Sequence, residues 1–155
     1  MNKNEDKLVR LFPKYFELFQ LPDGAKDEEI KVFRACKTWK CDRESFTPSF
    51  EEMGCDIKLC KDPTDPGEYS LSTYEKSKDI KRFVNLNSNY GKPYKIAVGI
   101  TKKECGKVQR TKERIKKKNS HVDWWLYEDA KPCENFKMIE DFQAFLEEER
   151  ANRGV

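Results

Sequence analysis

Apolar residues recur at helical spacing at both ends of the chain. In residues 5–19 a helical stripe is interrupted by Pro13, which is expected to kink or split the helix. The apolar positions of this stripe are Leu8, Leu11, Phe12, Phe16 and Leu18 or Phe19. Residues 136–150 carry a second stripe, formed by Phe136, Ile139, Phe142 or Ala144, Phe145 and Leu146. These patterns predict N- and C-terminal amphipathic helices.

The middle of the chain instead alternates between apolar and polar positions, as half-buried strands do. Residues 94–100 give the strongest strand pattern, and 29–37 and 122–127 are also strand-like. Residues 69–72 and 106–110 are shorter segments with the same tendency. Strands between terminal helices predict an α+β fold with a mixed or antiparallel sheet, in a single domain over residues 1–155.

Two further helices are predicted from their end signals. Residues 47–54 place Pro48 in a first turn and Gly54 at a helix end. The sequence Ser72-Thr73-Tyr74-Glu75 fits a capping box, in which serine caps a helix and glutamate reaches back to it. This box predicts a helix from Thr73 to about Phe83.

Composition indicates a folded chain with a heavily charged surface. Charged residues make up 38% of the chain, yet it carries 10 Phe, 6 Tyr and 3 Trp, more aromatics than disordered chains contain. No stretch has the length and apolarity of a signal peptide or a membrane span. We therefore expect a cytoplasmic protein without a membrane partner. The oligomeric state is not defined by the sequence.

Four of the six cysteines form two spaced pairs. Cys36 and Cys41 are five residues apart, as are Cys55 and Cys60, which resembles a four-thiolate zinc arrangement. The spacing is longer than that of common structural zinc sites, and ligands five apart on a strand point to opposite faces. We therefore expect thiols and no metal site.

Positive charge is concentrated in residues 102–118, which carry nine Lys and Arg against Glu104 and Glu113, although the net charge of the chain is only +3. This basic segment predicts a surface for nucleic acid or protein, with a nearby tryptophan stacking on a base. Adjacent tryptophans in a strand face opposite ways, so at least one is expected in the core. The candidate contact residues are Arg110, Lys112, Arg114, Lys116, Lys117, Lys118 and Trp124.

The only histidine of the chain, His121, lies two residues before Asp123 in a predicted strand, so the two share a face. A histidine positioned by a carboxylate is a candidate general base. The alternative is a hydrogen-bonded polar entry to a core strand. No nucleophile elbow, phosphate-binding loop or dinucleotide-binding glycine motif accompanies the pair.

Arg34 in an early strand, followed by Tyr69-Ser70-Leu71-Ser72-Thr73, a helix and a late strand, resembles the mono-ADP-ribosyltransferases of the arginine–serine–glutamate type over residues 30–100. The order of hydroxyl residues differs from the Ser-Thr-Ser of that family, and no Glu-x-Glu follows the late strand.

This resemblance implies an NAD-using enzyme acting on a macromolecular target. It assigns NAD binding to Arg34, Ser70, Ser72 and Thr73. The candidate catalytic residues are then Glu113, His121 and Asp123. The alternatives are a surface ion pair for Arg34 with a helix cap at Ser72, and a small nucleic-acid- or protein-binding module that uses the basic segment.

Overall fold

A computed structural model describes residues 10–153 of the chain. Within this range six strands form one sheet in which all neighbours are antiparallel, in the order β4-β5-β2-β1-β3-β6. The strands are β1 Lys31–Cys36, β2 Leu71–Tyr74, β3 Lys95–Ile100, β4 Gly106–Arg110, β5 His121–Leu126 and β6 Phe136–Ile139. The predicted α+β class is confirmed, with the sheet antiparallel and not mixed.

Three α-helices accompany the sheet in the described range: α1 Ser49–Glu52, α2 Ser77–Ser88 and α3 Phe142–Arg153. Short 3-10 helices connect the other elements. They span Lys14–Leu18, Arg43–Phe46, Ile57–Leu59, Pro66–Tyr69, Thr111–Glu113 and Pro132–Asn135.

Both faces of the sheet are buried. Side chains of a strand alternate between the two faces, and each face packs into its own core. Val32 and Cys36 of β1 face a core that also contains Leu71, Trp124 and Phe136, here called the central core. The intervening Phe33 and Ala35 face the opposite side. There they pack with apolar side chains of α2 and α3, namely Ile80, Phe83, Val84, Phe142 and Phe145.

A third cluster of aromatic side chains covers the end of β5. Phe50, Tyr69 and Trp125 are buried in it, and the N-terminal segment that includes Phe12 and Phe19 lies over them. We call this group the aromatic cluster. It explains part of the N-terminal stripe, because Phe12, Phe16 and Phe19 pack on the cluster from irregular chain and a 3-10 helix, whereas Leu11 and Leu18 are exposed.

The predicted helix over residues 5–19 is wrong in its described part, because only Lys14–Leu18 is helical, as a 3-10 turn. Pro13 precedes that turn with extended backbone and provides no N–H for a continuous α-helix. Residues 5–9 of the prediction lie outside the described range.

The capping-box prediction is also wrong. Ser72 and Thr73 belong to β2 and pair with Asp123 and Val122 of β5, and α2 begins only at Ser77. Glu75 binds the Arg110 guanidinium instead of reaching back to a helix N-terminus. Cross-strand pairing outweighs the local capping signal here.

The C-terminal helix is shorter at its start than predicted. Residues 136–139 form the edge strand β6, and the helix covers Phe142–Arg153. Phe136 enters the central core whereas Ile139 packs on the helical side, because residues three apart in a strand face opposite sides. Because a spacing of three also fits one face of a helix, residues 136–139 were wrongly predicted as the start of the helix.

Candidate nucleic-acid interface

Arg34 lies where β1 and β2 separate. In the described residues these strands pair only at Phe33 and Tyr74, whereas β1 and β3 pair at six positions. The Arg34 guanidinium donates from Nε to the Ser45 carbonyl and from Nη1 to the Ser72 carbonyl, both at 3.0 Å. It therefore joins β1, β2 and the Arg43–Phe46 turn. Burial lowers the pKa of Arg34, and within residues 10–153 no carboxylate lies within 4.0 Å of it.

Two of the three hydroxyl groups assigned to NAD, those of Ser70 and Thr73, are directed into the protein. Ser70 and Thr73 are fully buried. Ser70 Oγ donates to Asp123 Oδ1 at 2.5 Å, and Thr73 Oγ1 donates to the Val122 carbonyl at 3.0 Å. The bond between Arg34 and Ser72 uses the Ser72 backbone carbonyl as acceptor and not the Ser72 hydroxyl. The alternative of a surface ion pair for Arg34 is wrong as well, because its guanidinium donates to two backbone carbonyls and pairs with no carboxylate of the described residues.

The Arg34→Lys variant is expected to be less stable by about 1–3 kcal/mol, because an ammonium cannot reproduce the two directed bonds of the guanidinium. Urea unfolding monitored by circular dichroism measures the change. Arg82→Lys, at an exposed position of α2, is the matched control and should differ from the parent by less than about 0.5 kcal/mol. Equal stability of Arg34→Lys and the parent would contradict the structural role of Arg34.

His121 and Asp123 belong to one hydrogen-bond network, linked through Thr111. Thr111 Oγ1 donates to Asp123 Oδ2 at 2.7 Å and lies 2.5 Å from His121 Nδ1. Since Thr111 has a single proton to give, His121 donates from Nδ1 in this arrangement. Burial lowers the pKa of His121, although Asp123 opposes the shift, so the imidazole is favoured in its neutral form.

The carboxylate of Asp123 is saturated by donors inside the protein. Besides Ser70 and Thr111, Arg114 Nη2 donates to Asp123 Oδ2 at 2.9 Å, and the Asp123 side chain is 1% exposed. Glu113 stands apart from this network at an exposed position and forms a 3.9 Å ion pair with Lys26. The structure thus joins His121 and Asp123 but not Glu113. No pattern in the sequence identifies Thr111 as the residue that connects His121 to Asp123.

The cations of the basic segment divide into two groups. The first group is neutralised within the protein: Lys102 pairs with Glu29, Lys107 with Asp27, Arg114 with Asp123, and Arg110 with both Glu28 and Glu75. The bonds from the two glutamates raise the pKa of Arg110. Arg110 and Arg114 were predicted to contact nucleic acid, but their donors hold the fold together.

The second group has no acidic partner. In the part of the chain that the structure describes, no carboxylate approaches within 4.0 Å of the ammonium groups of Lys103, Lys112 or the three consecutive lysines Lys116, Lys117 and Lys118, all of which are exposed. The same holds for Lys78 and Arg82 on α2. These two residues lie outside the basic segment and were not predicted as contact residues, although their spacing of four on a helix places them on one face.

Lys116–Lys118 and α2 form the two walls of a groove of about 630 Å³, here called the basic groove. Lys78 and Arg82 lie on the helical wall. The remaining lining residues are Tyr74, Asp79, Phe83, Leu86 and Asn119, of which Tyr74, Phe83 and Leu86 provide an apolar floor. Leu86 is 50% exposed. Lys112 lies outside this lining.

Asp79, the carboxylate of the groove lining, holds the two walls together. Its Oδ2 accepts from the Ser120 hydroxyl at 2.7 Å and from the Ser120 N–H at 2.9 Å. Ser120 Oγ in turn accepts from the Lys76 N–H at the start of α2. Burial alone raises the pKa of Asp79, but the bonds from Ser120, aided by Lys78, outweigh it and lower the pKa. Asp79 therefore fixes the loop that carries Lys116–Lys118, here called the lysine loop, beside α2.

Trp124 does not provide a stacking surface. Its side chain is fully buried in the central core against Phe136, at 5.9 Å between ring centres. The prediction that Trp124 contacts a base is wrong for this arrangement, because both faces of the sheet are covered. Trp125 is also buried, with Nε1 donating to the Pro66 carbonyl at 2.9 Å.

All six cysteines are unpaired, and the two predicted pairs lie in different places. Cys36 and Cys41 pack in or against the central core, whereas Cys60 packs against the aromatic cluster. Across residues 10–153, no group of three or more His, Cys, Asp or Glu side chains is arranged to hold a metal. No helix in that range is long and apolar enough to cross a membrane.

Comparison of the chain with protein-family models, with curated proteins and with solved structures finds no match.

Proposed function

We propose that the protein is a nucleic-acid-binding module and that the basic groove is its contact surface. The observation that carries this proposal is the convergence on one groove of five cations that have no carboxylate within 4.0 Å, namely Lys78, Arg82, Lys116, Lys117 and Lys118. Cations in one place attract a polyanion and release its counterions when they contact phosphates.

The arrangement favours a polyanionic ligand over a single small anion. The cations come from two separate elements and lie along both sides of the groove. Lys78 and Arg82 are one helical turn apart, which is about 6 Å along the axis. Charges spread in this way match a chain of phosphates better than one phosphate group. An acidic protein segment is the competing partner, and the test below includes it.

NAD binding has less support from the geometry. The Arg34, Ser70 and Thr73 donors are engaged by Ser45, Ser72, Asp123 and Val122, so a cofactor has to displace bonds that stabilise the sheet. Titration of NAD in parallel with oligonucleotides compares the two proposals directly.

We expect the triple variant Lys116→Ala, Lys117→Ala, Lys118→Ala to lose most of the salt-sensitive binding. With five phosphate contacts, affinity for a single strand should fall roughly 100-fold between about 50 and 200 mM salt, and only about sevenfold with the two contacts left in the variant. Fluorescence anisotropy of a labelled oligonucleotide at several salt concentrations measures both slopes.

The matched control is K58A/K61A/K103A, which removes the same charge from exposed lysines outside the groove. This variant should retain the parental dependence of oligonucleotide affinity on salt concentration. If the two triple variants weaken binding equally, net charge and not the groove is responsible. If no oligonucleotide binds the parent at low salt while poly-glutamate or NAD does, the proposed function is wrong.

A further inference from the structure

We propose that the basic groove accepts a single nucleic-acid strand and excludes a double helix. This inference rests on the proposed function and specifies the ligand of the same site. Its basis is the combination of two cationic walls with an apolar floor between them.

The floor consists of largely apolar side chains that carry no charge to bind a phosphate. The Tyr74 and Phe83 rings lie 5.9 Å apart, and Leu86 continues the apolar surface along α2. An aromatic and aliphatic floor accommodates an unstacked base, while phosphates on either side meet the lysine loop and the Lys78–Arg82 face. In a duplex the bases are paired and stacked, so they cannot reach such a floor.

The size of the groove supports the same conclusion. Its volume of about 630 Å³ lies in the range of sites that enclose a drug-sized molecule, ~300–1,000 Å³. In a double helix the bases are paired between the two backbones, so phosphates and not base faces are presented to such a groove. A duplex would therefore touch the rims of the two walls and leave the floor empty.

The exposed side of α2 extends this surface beyond the groove. Lys78, Arg82, Leu86 and Tyr90 follow one another at intervals of four residues, and Tyr90 is 83% exposed just beyond the end of the helix. Tyr90 lies in the turn that follows α2, two residues after its last helical residue Ser88. A strand leaving the groove along α2 would meet an exposed aromatic ring there.

The test compares labelled single strands with a duplex of equal length at one salt concentration. The probes are oligothymidylate and oligouridylate of about 12 nucleotides, together with the duplex of oligothymidylate and oligoadenylate. We expect the better single strand to bind at least tenfold more tightly than the duplex. The two single strands distinguish DNA from RNA, and preference for either one supports the inference.

Leu86→Ala tests the floor separately from the charges. We expect it to weaken single-strand binding about fivefold because apolar contact is lost, with the salt slope unchanged and duplex binding unaffected. Leu59→Ala is the matched control, since Leu59 is 61% exposed and lies outside the groove. Circular dichroism confirms that both variants are folded.

The outcomes separate the two proposals. Duplex binding as tight as single-strand binding, or equal effects of Leu86→Ala on both ligands, overturns this inference and leaves the nucleic-acid function standing. Binding of neither single strand nor duplex overturns the function and the inference together.

Discussion

Asp123→Ala is expected to lower the free energy of unfolding by about 3–5 kcal/mol, because removal of one partner leaves a buried charge uncompensated. Asp123 is 1% exposed and accepts hydrogen bonds from Ser70, Thr111 and Arg114. In the variant the Arg114 guanidinium keeps its bond to Gln109 Oε1 but loses its anionic partner. Urea unfolding at neutral pH measures the difference.

Asp129→Ala is the control for this prediction. Its carboxylate is 71% exposed and lies 3.6 Å from Arg10, so its removal should cost less than about 1 kcal/mol. Similar losses in the two variants would show that the network around Asp123 does not stabilise the fold.

Trp125→Ala is expected to destabilise the protein by about 3–5 kcal/mol, as large aromatic deletions in cores do. Trp125 is fully buried with Phe50 and Tyr69, and Arg114 lies over its ring at 5.6 Å. The variant also leaves the Pro66 carbonyl without its indole donor. The same unfolding measurement tests this prediction.

Trp39→Ala provides a tryptophan control at the surface. Trp39 is 51% exposed and contacts Lys95, whose ammonium is 5.4 Å from the ring centre. Its loss should cost about 0.5–1 kcal/mol. If Trp125→Ala is no more harmful than Trp39→Ala, the aromatic cluster is not a core element.

The alternation of apolar and polar residues was sufficient to predict five of the six described strands, whereas the edge strand β6 was predicted as part of a helix. Residues 94–100 and 106–110 were predicted as strands and form β3 and β4 at Lys95–Ile100 and Gly106–Arg110. The sequence also predicted that at least one of Trp124 and Trp125 is in the core. Both are buried because the two faces of β5 contact different cores, and a single strand does not reveal what covers its second face.

The basic groove, the proposed contact surface, was only partly predictable, because charge neutralisation depends on residues distant in sequence. The acidic partners of Arg110, Glu75 and Glu28, are 35 and 82 residues away from it. In the linear sequence Arg110 and Lys117 belong to the same basic run, yet the fold gives acidic partners to Arg110 and leaves Lys117 facing the groove. Lys78 and Arg82 were missed for the same reason, since only the fold brings α2 beside the lysine loop.

The Ser120 bonds to Asp79 have a kinetic consequence. Because they fasten the lysine loop to α2, the basic groove is already shaped in the free protein, and the proposed ligand need not order it. Encounter then depends on diffusion guided by the local positive potential, which permits rate constants of up to about 10⁸–10⁹ M⁻¹s⁻¹ at low ionic strength.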